Sequence, residues 1–143
     1  MKEKIIIASG YFDPLHAGHI EYLKLAKSLG EKLIVILNND KQAILKKGCV
    51  FMPQEERKII LEALKFVDEV FLSVDEDKSV CKTIKLLSEK YKTKEIIFSK
   101  GGDRFSYEIP EAKICEELQI KIKDGLGKKI QSSSNLTGIK EIK

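Results

Sequence analysis

Tryptophan is absent, and the 143-residue chain holds only two histidines, three cysteines, three prolines and two methionines. Cys49, Cys81 and Cys115 stand far apart and form no C-x-x-C pair. That spacing excludes a disulfide framework or a structural zinc site and leaves buried or incidental thiols. Long apolar runs are missing as well. Leu33–Leu37 is among the longest, against the roughly 20 residues a membrane-spanning helix needs. Met1–Lys4 followed by Ile5–Ala8 lacks the apolar length and cleavage site of a secretory leader, so a cytoplasmic protein is expected. No linker rich in Gly, Pro or Ser, no repeat and no low-complexity tract interrupts the chain, so one domain over residues 1–143 is expected. Charge of one sign is not in large excess: 26 basic against 22 acidic residues leave +4, with the lysines scattered among glutamates. A nucleic-acid-binding stripe would be clustered and interleaved with aromatics. The charges read as a solvated surface, and the small surplus suits an anionic small molecule such as a nucleotide.

What is present is an alternation. Short β-branched runs at Lys4–Ala8, Leu33–Leu37, Glu69–Ser73, Glu95–Ser99 and Ile120–Lys123 are continuous in apolar character, as strands covered on both faces are. Between them lie helix-period segments: Gly18–Leu29, Gln54–Phe66, Ser79–Tyr91 and Pro110–Leu118, with Ser132–Glu141 closing the chain. A repeated β-α pattern predicts a doubly wound parallel sheet with right-handed crossovers. With the order 3-2-1-4-5, strands one and four are neighbours where the winding reverses, and ligands bind beyond their carboxyl ends.

Both histidines fall in one bend there. In Ser9–Leu23, "SGYFDPLHAGHIEYL", His16 and His19 sit between strand one and the first helix, with Gly10, Pro14 and Gly18 shaping the turn. A helix start offers unpaired N–H groups and partial positive charge, so phosphate is held well there. Two histidines at that point can donate hydrogen bonds to phosphoryl oxygens and stabilise charge in a five-coordinate transition state. A zinc site is the competing reading of a His-x-x-His pair, but no third ligand lies near in sequence.

The stretch Gly10-Tyr11-Phe12-Asp13-Pro14-Leu15-His16-Ala17-Gly18-His19 resembles the G-x-F-D-x-x-H-x-G-H signature of the cytidylyltransferase-like nucleotidyltransferases. These include glycerol-3-phosphate cytidylyltransferase, heptose-phosphate adenylyltransferase and archaeal FAD synthetase. Further segments are similar to the family's: Glu56-Arg57-Lys58 through Val67-Asp68-Glu69-Val70, the turn Gly101-Gly102-Asp103-Arg104, and Gln131-Ser132-Ser133-Ser134 before the last helix. The resemblance implies a Rossmann-like fold and transfer of a nucleotidyl group from an NTP to a small phosphorylated alcohol or sugar, with pyrophosphate leaving. CTP is slightly favoured over ATP. His16, His19 and Lys46 are the implied catalytic residues, Lys46 reaching the β- and γ-phosphates from a loop it shares with Lys47. Gly10, Tyr11, Phe12, Asp13, Gly18, Gly101, Gly102, Asp103, Arg104, Gln131 and Ser132–Ser134 are the implied nucleotide site. Arg57, Lys128 and Lys129 are implied to hold acceptor or phosphate. Magnesium is implied as an ion carried by the NTP phosphates, with no dedicated protein site and with Asp13 either orienting the loop or approaching the metal. A homodimer is implied too. The sequence departs from relatives at Tyr11, where many have Thr or Val, and before the serines, where their arginine has no counterpart. Three other readings stand: an adenylyltransferase of heptose-phosphate or FAD-synthetase type, a nucleotide-binding module without catalysis, and a fragment related to aminoacyl-tRNA synthetases, which share a similar bend.

Overall fold

Ile5, Ile6 and Ile7, like Leu33 to Leu37, are fully buried although their side chains alternate between two faces, so both faces of the strands they form are covered. A computed structural model describes residues 3–101, 109–126 and 136–139. In chain order the elements are β1 (Lys4–Gly10), α1 (Ala17–Ser28), β2 (Lys32–Leu37), α2 (Asp40–Lys47), α3 (Gln54–Glu62), β3 (Glu69–Leu72), α4 (Cys81–Lys90), β4 (Glu95–Gly101), α5 (Ala112–Glu117) and β5 (Lys121–Leu126). The strands form one five-stranded parallel sheet in the order β3-β2-β1-β4-β5. This is the doubly wound architecture expected from the β-α alternation. All three cysteines are free thiols. No helix among the described residues is long and apolar enough to cross a membrane.

The two faces bury separate cores. Ile5, Ile7, Ile34, Ile36, Ile96 and Phe98 meet Val80, Ile84 and Leu87 of the α4 region and Cys115 of α5. Ile6, Ala8, Leu33, Val35 and Leu37 meet Tyr22, Leu23 and Ala26 of α1 and Leu61 of α3 on the other side. Burying each large aliphatic side chain contributes about 1.5–3 kcal/mol, and two such layers fix strand order and register. The sheet thereby brings the ends of β1 and β4 side by side, with Ala8 opposite Ser99.

Several boundaries differ from the sequence expectation. β1 runs on to Gly10 and β4 to Gly101, because Gly10 pairs with Leu37 and Gly101 with Leu126. The helix expected over Gln54–Phe66 stops at Glu62. There the Ala63 N–H is shared among the Ile59, Ile60 and Leu61 carbonyls, and Leu64 and Val67 continue in tighter turns. Helix α2 was expected as loop. It is started by a reciprocal cap, Asn39 Oδ1 accepting from the Gln42 N–H and Gln42 Oε1 from the Asn39 N–H. It ends at Gly48, whose φ of 82° only glycine adopts without strain. The last expected helix lies outside the described residues except for 136–139.

Candidate active site

The turn from β1 into α1 places both histidines at the start of α1. His16 is the N-cap residue: its Nδ1 accepts the Gly18 N–H at 3.1 Å, and His19 Nδ1 accepts the His16 N–H at 3.2 Å. The pair is a capping box built from two imidazoles. An Nδ1 that accepts a backbone N–H carries no proton, so in each neutral ring the proton sits on Nε2. The rings stack at 3.7 Å, and the edge of Phe12 abuts His19 at 4.8 Å. Burial, then the neighbouring His16 and Lys47, pushes the His19 pKa down to about 3, and burial lowers that of His16 too. Both rings are therefore neutral donors through Nε2–H at ordinary pH. The Gly18 amide at this helix start is held by His16.

Gly10 serves this pair indirectly. A Cβ on Gly10 would lie 2.9 Å from the Phe12 ring, so the missing side chain lets Phe12 fold back over β1 and wall in His19. Phe12 itself turns through φ 50° and Asp13-Pro14 is a cis peptide. Asp13 orients the loop. Its buried carboxylate accepts the Phe51 N–H at 2.9 Å and the Met52 N–H at 2.6 Å.

Arg57, expected to face acceptor or phosphate, is turned inward and its side chain is fully buried. Its Nε donates to the Met52 carbonyl at 2.8 Å and one terminal nitrogen to the Tyr11 and Asn38 carbonyls at 2.7 and 2.9 Å. The other pairs with Asp40 at 2.7 Å. The guanidinium fork thus ties together the loops that follow β1, β2 and α2. It is a frame beneath the site, not a contact in it. Lys46 and Lys47 lie in the last turn of α2, not in a loop. The Lys46 ammonium stands 4.5 Å over the Tyr11 ring, which brings it to the same bend as the histidines. Gly101 is needed for packing: a Cβ there would lie 2.8 Å from the ring of Tyr22, whose hydroxyl is pinned to the Ser99 carbonyl at 2.8 Å. Gly102, Asp103, Arg104, Lys128, Lys129, Gln131 and Ser132–Ser134 lie outside the described residues.

Sequence reasoning missed the Asn38 carbonyl and the Asp40 carboxylate that hold Arg57. The Asn39–Gln42 spacing ahead of Ala43-Ile44-Leu45 was a legible signal for α2. Among the described residues no three His, Cys, Asp or Glu side chains are grouped to hold a metal ion, and the Asp13 oxygens are occupied by amides.

Known proteins share this design. The cytidylyltransferase-like family model matches residues 7–125. The chain is 43% identical over 74 residues to an FAD synthase from Ferroglobus placidus, a match covering 52% of this chain and 48% of that protein. It is 33% identical over 142 residues to the bifunctional protein HldE of Campylobacter concisus, covering 94% of this chain and 28% of that protein. The match thus takes in about half of the one relative and under a third of the other. A lipopolysaccharide core biosynthesis protein from Thermoplasma volcanium superposes with TM-score 0.68 at 27% identity, over 87% of this chain and 98% of that one. A putative nicotinate-nucleotide adenylyltransferase from Vibrio parahaemolyticus, 16% identical over 94% of this chain and 78% of that one, shares the fold with TM-score 0.65.

Proposed function

The chain belongs to the cytidylyltransferase-like family, a nucleotidyltransferase-like family, and on that premise we propose that it transfers a nucleotidyl group from an NTP to a small phosphorylated acceptor. The observation that carries the reading is the stacked histidine pair, each Nδ1 held by a backbone N–H and each Nε2–H turned to donate. An acceptor phosphate oxygen attacks the α-phosphorus. The bond from that phosphorus to the bridging oxygen breaks, and pyrophosphate leaves with the electron pair. No covalent enzyme intermediate is needed, so positioning and charge stabilisation do the catalytic work. The Nε2–H groups of His16 and His19 donate to the α-phosphate as its charge grows. Lys46, steadied on Tyr11, supplies positive charge to the β- and γ-phosphates. The start of α1 adds its dipole.

Magnesium carried by the NTP would supply neutralisation of phosphate charge, while Asp13 holds the Phe51 and Met52 amides. For the base we favour ATP over CTP, because FAD synthase, the curated relative named above for its product, makes a product that carries an adenylyl group. A homodimer is proposed as well, to be checked by light scattering.

The test is pyrophosphate release with ATP and with CTP against FMN, glycerol 3-phosphate and a panel of sugar phosphates. Turnover is expected with ATP. His19→Ala is expected to lower kcat about a hundredfold or more, as loss of a transition-state donor does. Tight NTP binding with no pyrophosphate release on any acceptor would replace this reading with that of a catalytically silent nucleotide-binding module.

A further inference from the structure

Helix α2 is fastened by hydrogen bonds more than by apolar packing. Among the described residues neither core takes a side chain from it. Ala43 is its one buried apolar residue, and Ile44 and Leu45 are about half exposed. Its anchor is Gln42, which is fully buried. Gln42 Nε2 donates to the Asp77 carbonyl at 2.7 Å and to the Ser79 carbonyl at 2.8 Å, while Oε1 accepts the Asn39 N–H at 3.0 Å. Both amide hydrogens are used, and the partners fix which end of the carboxamide is nitrogen. Asn39 repeats the pattern: its Oδ1 caps the helix, and its Nδ2 donates to the Ser73 and Asp75 carbonyls at 3.0 and 3.1 Å. Four carbonyls between β3 and α4 are thus bound to the start of α2. That segment is seated in turn on α4. The buried Asp75 carboxylate accepts the Lys82 and Thr83 N–H groups at 2.8 and 3.0 Å and the Thr83 hydroxyl at 2.6 Å. On its other side α2 is held through Asp40, by Arg57 and by Gln54 Oε1.

We propose that Gln42 is a positioning residue for nucleotidyl transfer: by binding the Asp77 and Ser79 carbonyls it sets where α2 presents Lys46 and Lys47 to the NTP phosphates. The inference rests on the nucleotidyl-transfer reading above. The far end of α2 meets the histidine bend. The Lys46 ammonium stands over the Tyr11 ring, and the charge of Lys47 is felt by His19. Gln42 and Lys46 are four residues apart, so they share one face of the helix. A helix of eight residues is about 12 Å long, so fixing its first turn fixes its last. Because α2 adds nothing to either core, this polar anchor serves the placement of the helix more than the stability of the sheet. An apolar side chain at position 42 would fill the same space and leave two carbonyls without donors. The helix then shifts to let water reach them. A displacement of about 1 Å is enough to cost a positioned group most of its effect.

The experiment measures the ATP Kd by calorimetry and the acceptor KM by pyrophosphate release, using the acceptor that the parent turns over best. It compares the parent with Gln42→Met, with Asn39→Ser, and with Gln42→Met added to a Lys46→Met, Lys47→Met background, all checked for folding by circular dichroism. Gln42→Met is expected to raise the ATP Kd about tenfold and to change the acceptor KM less than twofold. Asn39→Ser keeps a side-chain cap, loses only the tie to Ser73 and Asp75, and is expected to raise the ATP Kd about threefold. In the background without the two lysines, Gln42→Met is expected to change the ATP Kd less than twofold, because a residue that acts through them has nothing left to place. An equal rise in both backgrounds marks a merely structural role and overturns the inference while the transfer reading stands. So does an unchanged ATP Kd in folded Gln42→Met, or in Asn39→Ser where Gln42→Met does not fold. A parent that releases no pyrophosphate with any acceptor overturns the transfer reading, and the positioning role with it.

Discussion

Replacing Arg57 with methionine keeps the apolar stem and removes the guanidinium. The Met52, Tyr11 and Asn38 carbonyls and the Asp40 carboxylate lose their donor together. Asp40 is one-third exposed and regains water, so its loss is small. The three carbonyls converge on a fully buried group and do not regain water easily, at about 1–1.5 kcal/mol each. The sum, about 3–5 kcal/mol, is what removing one partner from a buried ion pair costs in general. For a domain of this size that lowers Tm by roughly 10–20 °C. Arg57→Lys keeps one charge and at most three donors on a shorter stem, and is expected to lose roughly half as much. Thermal melts by circular dichroism with urea titrations measure both. An Arg57→Met protein melting within about 3 °C of the parent, with an unchanged urea slope, would refute the claim that this side chain ties the three loops together.

Two further outcomes follow from the same geometry. The folded His19 pKa lies near 3 and the unfolded one near 6.5, so between those values the unfolded chain binds the extra proton. Stability is therefore expected to be unaffected by this group above pH 6.5 and to fall as the pH drops toward 3, by a few kcal/mol. His19→Gln should flatten that part of the stability-versus-pH curve, read by urea unfolding at half-unit steps. Equal slopes in the two proteins would count against a neutral, buried ring. Gly101→Ala puts a Cβ 2.8 Å from the Tyr22 ring and 3.1 Å from the Leu126 carbonyl. Because the Tyr22 hydroxyl anchors the ring, the strain is expected to cost about 1–3 kcal/mol in urea unfolding.

The parallel sheet and its order were legible because runs such as Ile5-Ile6-Ile7 and Ile96-Ile97-Phe98 admit few other structures. The bend was legible because both histidines and their glycines sit in one short stretch. Strand ends were not. Ser9-Gly10 and Lys100-Gly101 have the composition of turns, yet their backbones pair because neighbouring strands extend as far. Arg57 reads as a surface charge by type. Its burial depends on three carbonyls from segments far apart in the chain, which no local pattern reports. Lys46 and Lys47 were expected in a loop, whereas the Asn39 cap and Gly48 define a helix around them.

In His16 and His19 one nitrogen closes a helix, and in the proposed reaction the other donates to phosphate. Fold maintenance and chemistry are thus written on opposite edges of the same ring. Serine or asparagine at position 16 would satisfy the helix start as well as histidine does and would remove the imidazole Nε2–H. A library of variants sorted only for folded protein would therefore pass such replacements as neutral, and selection for stability alone cannot preserve this pair. Conversely, a 180° flip of either ring about its Cβ–Cγ bond would put a C–H where Nδ1 accepts and unfasten the first turn of α1, so the helix holds each imidazole in one orientation.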